Sequence, residues 1–133
     1  MPPEWSRQEA IWLSWPHNPA TWPGKMEEIN RVFARFAAVI SLYEKVRISR
    51  GNARRETISD LLCDAGANMS NVELFDFRTN DVWCRDHGPV FLKNTATGER
   101  AIADFIYNSW GGKFPPWNLD NDIPARIAEA LGI

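Results

Sequence analysis

Residues 25–43 carry the strongest constraint in this sequence. Ile29, Val32, Phe33, Phe36, Val39, Ile40 and Tyr43 recur there at steps of three and four. A period of 3.6 residues gathers such positions along a helix, so the segment predicts an amphipathic α-helix of about five turns. Short apolar runs flank it. Glu9 to Pro16, E-A-I-W-L-S-W-P, reads as a buried strand closed by proline, and Val46-Arg47-Ile48 as a second strand. A long helix set between two strands commits the chain to mixed architecture.

The remaining segments continue the alternation. Ala53 to Ala65 predicts a second helix, with Ile58, Leu61, Leu62 and Ala65 on one side and Gly66 as its stop. Val72 to Phe77 alternates as a strand, with Val72, Leu74 and Asp76 on one face and Glu73, Phe75 and Phe77 on the other. Val90-Phe91-Leu92 and Arg100 to Tyr107 predict a hairpin around N-T-A-T-G, and a last helix spans about Asn121 to Leu131. The order β, α, β, α, β, loop, β, β, loop, α defines an α/β (α+β) chain. No linker or low-complexity segment divides its 133 residues, which suit one domain.

Composition excludes several classes of function. Apolar residues at 44% and charged residues at 24% match a globular protein, which excludes disorder for most of the chain. A net charge of −2 with both signs interspersed gives no footprint for nucleic acid. No apolar run reaches the length of a bilayer span, and M-P-P-E-W-S-R lacks a secretory signal pattern. The expectation is a soluble, cytoplasmic protein with neither nucleic-acid nor membrane partners. Two cysteines, Cys63 and Cys84, and two histidines, His17 and His87, supply neither a disulfide framework nor a clustered metal site. Tryptophan is over-represented at seven residues, and three of them lie beside polar motifs where rings can wall a pocket.

Polar chemistry concentrates in N-D-V-W-C-R-D-H-G-P, Asn80 to Pro89, directly after the alternating strand. A fixed carboxylate such as Asp81 or Asp86 accepts the paired N–H groups of a guanidinium, and Trp83 offers that cation a flat face. Arg85 either neutralises a carboxylate or meets an anionic end of a substrate. Cys84 as a nucleophile needs a base and an electropositive setting, and His87 three residues on need not face it. Small buried residue and backbone-bonded loop residue are the plainer readings of that pair. N-S-W-G-G-K-F, Asn108 to Phe114, is the second candidate, because its glycines permit positive φ or close approach to a ligand beside Trp110. Asp104 either faces the same cleft or pairs within the sheet.

Three segments together resemble one family, the agmatine deiminases and Porphyromonas-type (bacterial-type) peptidylarginine deiminases. They are M-P-P-E-W-S-R-Q-E-A-I-W-L-S-W-P-H-N-P-A-T-W-P-G, T-N-D-V-W-C-R-D-H-G-P-V-F and D-F-I-Y-N-S-W-G-G-K-F. The resemblance implies a pentein fold, a propeller-like ring of five ββαβ modules around a polar cleft. It implies hydrolysis of a guanidinium to a ureido product and ammonia, through a cysteine nucleophile and a histidine acid–base, with no metal or organic cofactor. Agmatine, giving N-carbamoylputrescine for polyamine synthesis, is the preferred substrate, with peptidylarginine next.

Asp86 and Trp83 match the family's W-x-R-D-x-G-P motif, and Arg85, Asp81 and Trp110 complete the expected substrate-binding set. Cys84 and His87 fall at variable positions, which assigns neither a catalytic role. The family's nucleophile and H-x-D histidine would lie beyond Ile133. Residues 1–133 are therefore expected to be the first two-fifths or so of a single pentein catalytic domain, silent alone, with exposed sheet edges that leave homo-oligomers open. The rival readings are a non-catalytic cation-binding module, a carbohydrate-binding module on the N-terminal tryptophans, and an enzyme using Cys84.

Overall fold

The structure, a computed structural model, describes residue 3 and residues 5–133. Met1, Pro2 and Glu4 of the N-terminal signature lie outside the described residues. The first half of the chain is a parallel sheet with its crossovers. Strands β1 (Ala10–Ser14), β2 (Lys45–Ser49) and β3 (Val72–Phe75) pair in the order β1-β2-β3. Ala10 faces Lys45 across the first pair, and Val46 faces Val72 across the second. Helices α1 (Met26–Ser41) and α2 (Arg55–Asp64) connect them.

One face of this sheet forms the core. Leu13, Val46 and Ile48 point from the strands into Ala34 and Ala37 of α1 and Ile58 and Leu62 of α2. Leu74 of β3 and Phe33 and Ile40 of α1 pack at its margin. The helix α1 differs from expectation in which side is inward. Its buried residues are Ala34, Ala37, Ala38 and Ser41, whereas Val32, Phe36, Val39 and Tyr43 are exposed. Small residues let a helix backbone close onto a sheet, and the helical period then turns the large residues of the opposite side outward.

The other face of the sheet is partly polar. Glu73 takes hydrogen bonds from Lys45 (2.7 Å) and Arg47 (2.8 Å), and the Arg47 guanidinium lies 5.6 Å from the Trp12 ring centroid. Helix α6 (Ile123–Leu131) and the hairpin β4 (Val90–Lys93)–β5 (Arg100–Ala103) border this side. Phe91, Ile123 and Ile127 share a small void of about 70 Å³ with Trp12.

Boundaries differ from the sequence reading at several elements, with β3 ending at Phe75 rather than Phe77 and the larger changes near the C-terminus. The hairpin's second strand stops at Ala103, and residues 104–108 run on without a partner strand. The last helix is divided into α5 (Asn118–Asn121) and α6, with Pro124 in the first turn of α6. Proline has no N–H to give, which the first turn tolerates and a helix interior does not. No helix among the described residues is long and apolar enough to cross a membrane.

Candidate functional site

Beyond the C-terminal ends of the three parallel strands lies a cleft of about 1080 Å³. Parallel α/β sheets open crevices there because each strand hands over to a loop. The loop after β1 contributes His17, Asn18 and Thr21, and the loop after β3 contributes Thr79 to Asp81, Trp83 and Asp86. The segment after β5 supplies Tyr107, Trp110, Lys113 and Phe114, and α5 supplies Asp120.

Polar side chains tie the first two loops together. The His17 imidazole Nε2 and the Thr79 hydroxyl are 2.9 Å apart, the Asn18 amide donates to Asn80 O (3.3 Å), and the Thr21 hydroxyl donates to Asp81 Oδ2 (2.8 Å). The second Asp81 oxygen accepts from Val82 N at 2.8 Å, so both of its oxygens are engaged by the protein. Burial lowers the His17 pKa, against the opposing charge of Asp81. Gly51 passes beneath this ring, where a Cβ would meet His17 Cδ2 at 2.0 Å.

Asp86 differs from Asp81. It sits in the short helix α3 (Cys84–His87), exposed at the cleft, and its carboxylate takes no hydrogen bond or ion pair among the described residues. Trp83 lies beside it at 41% exposure and Trp110 at 43%, so both residues are part-exposed at the cleft. Their centroids are 6.5 Å apart at 76°. Tyr107 and Phe114 extend this wall with edge-on contacts to Trp110 at 5.7 and 5.9 Å.

Trp110 is presented by an unusual backbone. Ser109 and Trp110 have φ of 52° and 55°, and Gly111 and Gly112 continue the left-handed path at 84° and 80°. Backbone hydrogen bonds close these residues into the one-turn element α4 (Ser109–Gly112). A left-handed conformation costs a residue with a Cβ about 1–3 kcal/mol and persists only where neighbours fix it. Here Asn108 Oδ1 accepts from Gly111 N (2.9 Å), Asn108 O from Gly112 N (2.7 Å), and the buried Ser109 hydroxyl donates to Phe114 O (3.1 Å).

Of the residues expected from sequence, Asp81, Trp83, Asp86 and Trp110 meet in the cleft. Arg85 does not; it is exposed and outside the lining. Asp104 is likewise exposed and outside it. Cys84 faces the sheet instead, with Sγ 3.5 Å from Trp12 O, and burial raises its thiol pKa. His87 is buried with neither ring nitrogen bonded among the described residues, and burial lowers its pKa to about 4, so it is neutral at pH 7. No cluster of three metal-ligating side chains occurs among the described residues.

Sequence reasoning missed Asp120. Its Oδ1 accepts from Asn80 N (2.6 Å) and Asp81 N (3.2 Å), while Asn80 Oδ1 accepts from Leu119 N (2.9 Å) and Asp120 N (3.3 Å). Burial raises the Asp120 pKa to about 6 despite those donors, and the charge of Asp81 adds to the rise. The available signal was the run N-L-D-N-D before the last helix, dense in residues that bond to backbone.

The family model for Porphyromonas-type peptidyl-arginine deiminase matches residues 1–133. The chain belongs to this family. An agmatine deiminase of Pseudomonas syringae pv. tomato is 29% identical over 133 residues, covering 97% of this chain and 34% of its own. A cysteine-to-serine variant of the C. jejuni agmatine deiminase, solved with substrate bound, is 33% identical with a TM-score of 0.78, over 96% of this chain and 35% of that one. The agmatine deiminase of Enterococcus faecalis superposes on 100% of this chain and 36% of its own at a TM-score of 0.86 and 26% identity. The chain thus spans about a third of these relatives, somewhat less than the two-fifths expected from sequence.

Proposed function

We propose that this chain supplies the substrate-holding part of a guanidine-hydrolysing deiminase, with agmatine as substrate. The observation that carries the reading is Asp86: an open carboxylate with no protein partner among the described residues, beside the part-exposed Trp83 and Trp110. A guanidinium satisfies both features at once, by paired N–H donation to the carboxylate and by stacking on an indole. The agmatine deiminases among its relatives support the same reaction.

In this reading residues 1–133 belong to one pentein catalytic domain, whose ring and remaining catalytic groups are completed by residues outside this sequence. The nucleophile and the acid–base are a cysteine and a histidine of that remainder; the cysteine variant of C. jejuni with its substrate bound supports such a nucleophile. A thiolate adds to the guanidinium carbon, and the histidine protonates the departing nitrogen, which leaves as ammonia. Water then attacks the thiouronium carbon and gives up a proton to the histidine, and the thiolate is expelled as the ureido product, N-carbamoylputrescine, forms. Asp86 localises the cation so that its carbon stands in line for attack.

The cleft's charge favours agmatine over arginine. Asp81 and Asp86 line it against the exposed amine of Lys113, so a dication gains where a free substrate carboxylate loses. The family's peptidyl-arginine name gives the second reading, in which the arginine carries no free carboxylate either.

The test joins this chain to the complementary two-thirds of the E. faecalis agmatine deiminase and follows ammonia release. Turnover of agmatine, its loss in Asp86→Asn, and silence of the 133-residue chain alone are expected. A folded chimera that binds no agmatine overturns the reading, and turnover of benzoyl-arginine peptides in preference to agmatine selects the second.

A further inference from the structure

The arm that carries Asp81, Trp83 and Asp86 leaves β3 at Phe75 and has no strand pairing of its own. His17, Asn18 and Thr21 tie it to the loop after β1, and a second anchor comes from the far end of the chain, 40 residues on. Asn80 and Asp120 each accept two backbone N–H groups from the other's segment: Asp120 Oδ1 from Asn80 and Asp81, Asn80 Oδ1 from Leu119 and Asp120. Four donors that would otherwise be orphaned are satisfied by two side chains. Asp120 is 2% exposed, so it competes with little solvent for those bonds. Its second oxygen takes no hydrogen bond among the described residues, and the residue borders the cleft.

We propose that Asn80 and Asp120 form a reciprocal brace that positions the guanidinium-holding arm, making Asp120 a positioning residue for Asp86 and Trp83 rather than a ligand. The proposal rests on the function assigned above, but its mechanical half does not. A short side chain accepting two successive amides sets the direction of the backbone between them, as a cap does at a helix start. Asp81, with both oxygens already bonded to Thr21 and Val82, transmits that direction to the residues that follow. Any tilt of the 80–81 peptide moves Asp86 relative to Trp110, which hangs from a different segment, and a misplacement of about 1 Å is costly in such a clamp.

The experiment uses the 133-residue chain and nuclear magnetic resonance. Amide exchange is read at Asn80 and Asp81 of this chain, and agmatine is titrated against the Trp83 and Trp110 indole N–H signals of the chimera described above, where the rest of the site is present. In Asp120→Ala the two amides should exchange at least tenfold faster and the agmatine dissociation constant should rise at least fivefold, while amides of Val46 and Ile48 keep their protection. Asp120→Asn retains an accepting oxygen and should return both readouts to within about twofold of the parent, which lost packing alone would not do. If Asp120→Ala unfolds the chain, Asn80→Ala removes the other half of the brace and is judged by the Leu119 and Asp120 amides instead. Parent-like exchange in the alanine variants, or unchanged affinity despite faster exchange, overturns the proposal. An absence of agmatine shifts in the parent chimera counts against the proposed function instead, and amide exchange still decides whether the brace exists.

Discussion

Residues 10–75 and residues 79–121 are stabilised by different forces. The first region is a sheet with two helices closed over one face, and its buried members are Leu13, Val46, Ile48, Ile58 and Leu62 with small alanines between them. The second has a two-stranded hairpin, one-turn helices and a left-handed turn, and is held by side chains reaching for backbone groups: Asn80, Asn108, Ser109, Asp120 and Asn121. Apolar burial is tolerant of exact geometry, whereas a hydrogen bond fails within a few tenths of an ångström. A ligand clamp therefore gains from the second kind of support, and a platform from the first.

Truncation in the platform should give the largest loss of stability. Ile48 is 0% exposed at the centre of the cluster. Ile48→Ala should cost about 2–5 kcal/mol in urea unfolding, a transfer loss plus a cavity that the sheet cannot collapse into. A cost below about 1 kcal/mol would erase the contrast, since the core would then be no more demanding than the loops.

Acid titration probes the loop region. Asp120 has its pKa raised from 3.8 to about 6, chiefly by burial. An acid raised on folding contributes stability that is complete below its unfolded value and lost as pH rises through the folded one. The stability of the parent relative to Asp120→Asn should therefore fall between about pH 4 and pH 6 and stay flat above pH 7, by about 3 kcal/mol at most. Taking the difference cancels Glu73 and Asp76, whose lowered pKa values give slopes of opposite sign in both proteins. A difference that rises with pH would mean that the Asn80 and Asp81 amides outweigh burial.

A smaller effect is expected at the left-handed turn. Asn108→Ala removes the acceptor for Gly111 N and should cost about 1 kcal/mol, the usual worth of a side-chain cap. The Trp110 indole signal should broaden or shift more than any signal of the platform. Sharp, unmoved Trp110 resonances would show that the Ser109–Phe114 bond alone holds the turn.

This contrast also explains what the sequence discloses. Strands and helices of residues 10–75 are legible because burial repeats with a period, so Val46 with Ile48 and Ile58 with Leu62 mark faces by spacing alone. The inward side of α1 is misleading for the same reason: periodicity weights large side chains, and here alanines and Ser41 are the buried positions, with Phe33 and Ile40 at the margin. Asp81, Trp83, Asp86 and Trp110 are reachable because their chemistry is dense in short motifs. Asp120 is not, since its partners are backbone amides 39 and 40 residues earlier, and an amide bears no residue-specific signature. Arg85 shows the converse, a residue whose charge suggests the cleft while its place in α3 turns it to solvent.

The smallest stability effect should belong to the residue on which the functional reading depends. Asp86 is exposed, unbonded among the described residues, and shares its cleft with Asp81 and Asp120. Removing its charge deletes no favourable partner and relieves some repulsion, so Asp86→Asn should leave unfolding within about 0.5 kcal/mol of the parent, with any shift toward greater stability. The same substitution exchanges a bidentate anionic acceptor for an amide that presents one oxygen and two donors, and should abolish measurable agmatine binding by the chimera. Stability and recognition would then part company at one carboxylate, as expected of a group placed for a ligand rather than for the fold. If Asp86→Asn instead destabilises the chain by about 2 kcal/mol or more, beyond what a surface substitution costs, Asp86 has a structural partner in solution, and the division between platform and clamp does not hold at the residue that defines it.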